Sequence, residues 1–93
     1  MKRTSAGRLA RELGINKSRA LEAVVKADLI AAILKAAEKK GLTHVELAQR
    51  SGLPRSAVTG ILSGSLQKVT IDRILKLIEA AGLEAEIKVR EAA

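Results

Sequence analysis

Residues 42–64 read LTHVELAQRSGLPRSAVTGILSG, and this stretch decides the fold. Thr43 with Glu46 three positions on has the form of a capping box: the threonine hydroxyl takes an orphan N–H and the glutamate reaches back. Val45, Leu47 and Ala48 are predicted to form the apolar side of a first short helix, with Gln49 and Arg50 facing out. Gly52 ends that helix, since a chain turning this sharply needs the left-handed conformation glycine adopts without Cβ strain. Pro54 forces Leu53 to be extended and fixes its own φ, so a second helix can begin at Arg55. Val58, Ile61 and Leu62 fall on one face of that helix; Arg55, Ser56, Thr59 and Ser63 fall on the other. A short helix displaying hydrogen-bonding side chains and braced from behind by another is the layout of a DNA-reading helix-turn-helix.

The spacing of small residues narrows this further. Ala48 lies where two steeply crossing helices leave no room for a larger side chain, and Val58 where a branched residue must wedge between them. In these positions, at Gly52 and in the Ser63-Gly64 ending, the stretch resembles the Xre/λ-repressor-like family. The alternative, an ordinary αα-hairpin in a bundle, requires neither the Ala/Gly/Val spacing nor a polar outer face.

Composition bounds the partners. Ninety-three residues suffice for one domain with a modest core, and the 47 % apolar content is almost all Leu, Ile, Val and Ala, which suits packed helices. There is no cysteine, which excludes disulfide frameworks and thiolate zinc sites. The longest apolar run, residues 29–34, is six residues, far too short to span a membrane. No hydrophobic segment follows the basic N-terminus as in a signal peptide, so a soluble, cytoplasmic protein is expected. Of the +7 net charge, residues 1–60 carry twelve Lys/Arg against five Asp/Glu, whereas residues 61–93 carry five against five. The basic excess thus accompanies the helix-turn-helix, as a phosphate-binding surface requires. With no Phe, Tyr or Trp there is no platform on which unpaired bases can stack. Duplex DNA is the nucleic acid that remains.

The rest of the chain is arranged around this motif. Residues 1–5 read as an arm, basic at Lys2 and Arg3, which either reaches into an adjacent groove or is a solvated tail. Residues 9–15, LARELGI, repeat the Ala-to-Gly spacing at Ala10 and Gly14, but Ala20 stands at the wedge position and no breaker follows before Lys40. A short helix stopped by Gly14 is the better reading there. A long helix is predicted from about Ser18 to Lys40, with Leu21, Val25, Leu29, Ile33 and Ala36 as its apolar stripe and Lys26, Lys35 and Lys39 outside it. Gly41 stops that helix. Residues 65–69 connect to a last helix, capped by Thr70 and ended by Gly82, whose Ile71, Ile74, Leu75, Leu77 and Ile78 close the core. Residues 84–90, EAEIKVR, alternate with period two, setting Ala85, Ile87 and Val89 on one side. A lone strand leaves its backbone groups unpaired, so this one is expected to meet its copy in a homodimer.

The fold expected is therefore mainly all-α, a bundle of about five helices with a short C-terminal β-strand. Residues 1–16 form a basic arm and short helix; residues 17–93 form the helix-turn-helix domain ending in the dimerisation strand. From about Leu13 to Val89 the chain resembles the HigA-like branch of the Xre family, antitoxins of toxin–antitoxin pairs. The residues that carry this are the quoted motif, the following LQKVTIDRILKLIEAAG and the terminal EIKV. The resemblance implies base contacts from Arg55, Ser56 and Thr59. Arg55 can bond guanine O6 and N7 bidentately, and Thr59 can offer its methyl to thymine. It places Thr43, His44, Ser63, Lys68 and Thr70 near phosphate, the last through orphan N–H groups at a helix start. His44 stands where the family often has glutamine and could brace Arg55, or be a plain solvent-exposed helix opener. Gly60 departs from the family by lacking a long polar side chain, and Pro54 by lacking a capping hydroxyl. The resemblance also implies a small ribonuclease toxin of the RelE/HigB type as partner; the apolar side of residues 9–24, which exceeds what the helix-turn-helix needs, is where that contact is expected.

An enzyme is not expected, because any histidine-based triad would depend on His44 alone, and no cofactor is implied. Three readings follow: a dimeric operator-binding repressor, in particular an autoregulating antitoxin; a toxin-neutralising module with a vestigial DNA face; and a non-specific architectural DNA binder.

Overall fold

The computed structural model describes residues 11, 14, 16–64 and 69–91. Among them run four helices: α1, Lys17–Lys40; α2, His44–Ser51; α3, Arg55–Leu62; and α4, Ile71–Ala80. The expected short helix before α1 falls largely on residues outside this set, as do Lys2, Arg3, Leu9, Leu13 and Lys68.

Helix α1 starts one residue earlier than the sequence suggests, because Asn16 caps it. The Asn16 carboxamide oxygen accepts from the Arg19 backbone N–H at 2.8 Å and from the Ser18 hydroxyl at 2.9 Å. It ends at Gly41, where the Leu42 N–H returns to the Ala37 carbonyl at 2.9 Å. The largest fully buried side chains are Ile33 of α1, Leu47 of α2, Val58 of α3, and Ile74 and Leu77 of α4. Every helix thus contributes to one core, which Leu53, Ile61, Leu62, Val69 and Ile78 complete.

The buried face of α1 follows the expected stripe at Ile33 and Ala36, with Leu29 packed against the core, and departs from it toward the start of the helix. Ala20, Ile30, Ile33, Ala36 and Ala37 are buried, whereas Leu21 is 54 % exposed. Lys26, expected outside, is buried, with its ammonium 2.6 Å from the Glu22 carboxylate one turn back. The hydrogen bond and charge of Lys26, assisted by Arg19, hold the Glu22 carboxyl below the usual carboxylate range. Leu, Val, Ile and Ala occur nearly all round this helix, so its periodicity leaves the inward face undetermined; the short helices packed against its second half decide it.

Two cations close the far end of α4. Lys40 Nζ donates to the Ala81 carbonyl at 2.6 Å, and an Arg50 guanidinium N–H to the Ala80 carbonyl at 3.4 Å. Positive charge on the orphan carbonyls of a helix C-terminus is favourable by about 0.3–1 kcal/mol, more where water is partly excluded. Gly82 makes this possible. Its φ is +74°, and a Cβ there would lie 2.6 Å from Lys40 Nζ, displacing the ammonium.

Beyond Gly82 the expected strand is not formed. Among the described residues there is no strand; residues 83–91 have no regular structure, and Ile87 and Val89 are 89 % and 90 % exposed. Alternation supplies two distinct faces, but a strand also needs a ladder partner, and one copy of the chain offers none.

Candidate nucleic-acid interface

The motif is assembled by local hydrogen bonds. Thr43 Oγ1 accepts from the Glu46 N–H at 3.1 Å, and the Glu46 carboxylate accepts from the Thr43 N–H at 3.3 Å, so both halves of the capping box form. At the other end of α2, Gly52 has φ +75° and donates to the Ala48 carbonyl at 2.9 Å. Ser51, which the sequence reading passed over, ties the turn: its hydroxyl donates to the Ala48 carbonyl at 3.3 Å and accepts from the Leu53 N–H at 3.2 Å. Leu53 is buried, which pulls the turn onto the core, and Pro54 starts α3 with no side-chain cap. Val58 fills the wedge between α2 and α3 with no exposed surface. Val45, assigned to the inner face of α2, is instead 41 % exposed; on this eight-residue helix Leu47 is the fully buried residue.

With α3 held in this way, Arg55, Ser56, Thr59 and Ser63 are exposed together along its outer side, and Gly60 is half-buried between them. The first-turn N–H groups of Arg55 and Ser56 precede any possible intrahelical acceptor and also point out of the helix start. Across the motif, His44 Nδ1 lies 3.0 Å from Thr59 Oγ1. His44 therefore meets Thr59, a partner that neither reading of His44 from the sequence, as a brace for Arg55 or as a plain helix opener, had named. Either imidazole tautomer engages the Thr59 oxygen, and a threonine whose hydroxyl is held has its methyl direction set as well.

The hydroxyls assigned to phosphate differ in what they have left to give. The Thr43 hydroxyl lies 3.2 Å from the Glu46 carboxylate and serves the cap. The Ser63 hydroxyl donates to the Gly60 carbonyl at 2.8 Å. Thr70 Oγ1 accepts from the Arg73 N–H at 3.4 Å, which leaves its own hydrogen free to donate outward. Arg73, exposed in the first turn of α4 beside Thr70, is a cation the sequence reading missed. Its position three residues after a capping threonine was the signal. Arg50 is turned instead to the end of α4.

A helix-turn-helix domain family model matches residues 9–90. The chain belongs to that family. The match covers all four helices, in line with the Xre-like resemblance of residues 42–64, and a helix-turn-helix domain is a DNA-binding unit. No curated protein and no solved structure matches the chain closely enough to add a relative. None of the helices among the described residues of this domain is long and apolar enough to cross a membrane.

Proposed function

We propose that this helix-turn-helix domain reads duplex DNA sequence-specifically, as a dimeric repressor. The observation that carries the reading is the outer side of α3, where Arg55, Ser56 and a Thr59 held by His44 stand exposed together. Arg55 and Thr59 are assigned to base edges. Thr70 and Arg73, at the start of α4, are assigned to the phosphate backbone, which positions a protein without carrying sequence information. The absence of aromatic residues favours a duplex over unpaired strands. The role proposed is binding without catalysis.

Arg55→Ala is expected to remove about 1–3 kcal/mol of preference for one base pair in each half-site, whereas Arg73→Ala weakens all duplexes alike. Titration of both variants against operator and random duplex at fixed salt checks this. Equal losses on both duplexes for Arg55→Ala would make Arg55 a phosphate contact.

The likeness to HigA-like antitoxins supports a narrower reading, in which the repressor also neutralises a ribonuclease toxin of the RelE/HigB type. Leu21, 54 % exposed near the start of α1, is apolar surface in the segment assigned to that contact. Leu21 lies apart from α3 in sequence, so the two activities should separate. Co-expression with the product of the adjacent gene should yield a complex that is lost on deleting residues 1–15, while operator binding persists. No complex with the full chain would leave the repressor without its antitoxin role.

A further inference from the structure

Residues 84–91 have no regular structure and are exposed throughout. The start of this segment is fixed. The Leu83 N–H donates to the Ile78 carbonyl at 3.0 Å, and the Leu83 side chain is partly buried against the core. Along the segment, Ala85, Ile87 and Val89 alternate with Glu84, Glu86, Lys88 and Arg90. Acids therefore occupy its first half and bases its second, and such an order is complementary to itself when reversed.

Resting on the dimeric reading above, we propose that two copies of this chain join through residues 84–90 as an antiparallel pair centred on Ile87. A twofold antiparallel pair has a single free variable, the residue on the axis. With Ile87 on it, Glu84 faces Arg90 and Glu86 faces Lys88 on one side of the ribbon, each pair occurring twice. On the other side Ala85 faces Val89 and Ile87 faces its own copy. Moving the axis to Glu86 sets Glu86 against itself, and moving it to Lys88 sets Lys88 against itself. Axes between residues pair apolar with charged positions. Parallel strands on a twofold axis are in register by symmetry, which stacks every charge on its like. Opposite charges directly across a pair are stabilising and like charges destabilising, so charge alone selects one register.

The apolar side of the ribbon also has a place to lie. A two-stranded ribbon is marginal in water without a surface to pack on. Leu83, from which each strand departs, lines a groove with Ala32 and Ala36, rimmed by Lys35, Lys39 and Lys40. In the selected register Glu91 falls opposite Leu83 of the other copy, bringing a carboxylate to that lysine rim.

The chain has no cysteine, so single cysteines report the register directly. Ile87→Cys in the full chain is expected to form an intermolecular disulfide under mild oxidation. Residues facing each other across the axis have Cα atoms about 4.5–5.5 Å apart, within disulfide reach. Ala85→Cys and Val89→Cys alone should stay uncrosslinked, because each lies about 13 Å from its own copy. Mixed, these two should crosslink to one another. In sedimentation, Glu86→Lys and Lys88→Glu should each weaken the dimer about 10- to 100-fold, and the double exchange should restore it. Both side chains are exposed, so helix content should not change. A full-length dimer that crosslinks equally at all three positions, or ignores the charge exchanges, overturns the register while leaving the dimer standing. A full-length chain that sediments as a monomer at micromolar concentration overturns both.

Discussion

Ending the chain after Leu83 is expected to yield a monomer and to lower operator affinity by about 10²–10⁴-fold, the gain that joining two weak binding events ordinarily provides. On the proposed reading each α3 contacts one half-site, and the twofold pair spans half-sites about 34 Å apart or a multiple of that. The segment removed lies outside all four helices, and Leu83 keeps its bond to Ile78, so circular dichroism and melting should be nearly unchanged. Electrostatics would push the other way. Residues 84–93 carry three carboxylates and two cations, so the shortened chain is more basic and should bind random duplex slightly better. Sedimentation and anisotropy titration at fixed salt separate the two effects. A shortened chain that remains dimeric, or keeps its operator affinity, would move the interface away from the tail.

The motif was legible in the sequence because its signals are local. Thr43 with Glu46, Gly52 and the Leu53-Pro54 step each act within four residues, and each appears in the structure where its chemistry places it. Contacts made at a distance were harder to read. The partner of His44 lies fifteen residues on, at Thr59, and nothing in the spacing distinguishes it from Arg55. The inward face of α1 was misread for a related reason. At 24 residues that helix is about 36 Å long, whereas α2, α3 and α4 have eight, eight and ten residues. Near its start Ala20 is as fully buried as Ile33, yet only Ile33 belongs to the shared core, and Leu21 beside Ala20 is exposed. The alternation of residues 84–90 defines two faces without supplying a ladder. In a single chain the same residues have no regular structure, and the sequence holds the capacity to pair more clearly than the pairing itself.

The second large effect lies in α2, which positions α3. Leu47→Ala is expected to destabilise the domain by about 2–5 kcal/mol, the range for truncating a buried leucine where the neighbours cannot collapse into the space. Leu47 has no exposed surface and belongs to the same buried cluster as Val58 and Ile74, so a cavity there removes packing from the centre of the core. For a domain this size that loss lowers Tm by upwards of about 10 °C. Val45→Ala, two residues away and 41 % exposed, is the control and should change stability by less than about 0.5 kcal/mol. Thermal and urea melts of both variants decide between the two faces of α2. Equal losses would mean that Val45 is covered in solution and that the inner face of the helix is wider than Leu47 and Ala48. The expected outcome, a large loss at Leu47 alone, would also make operator binding by Leu47→Ala fall with the folded fraction as temperature rises. At temperatures where the variant is still folded, its preference for operator over random duplex should survive, because Arg55, Ser56 and Thr59 are unaltered.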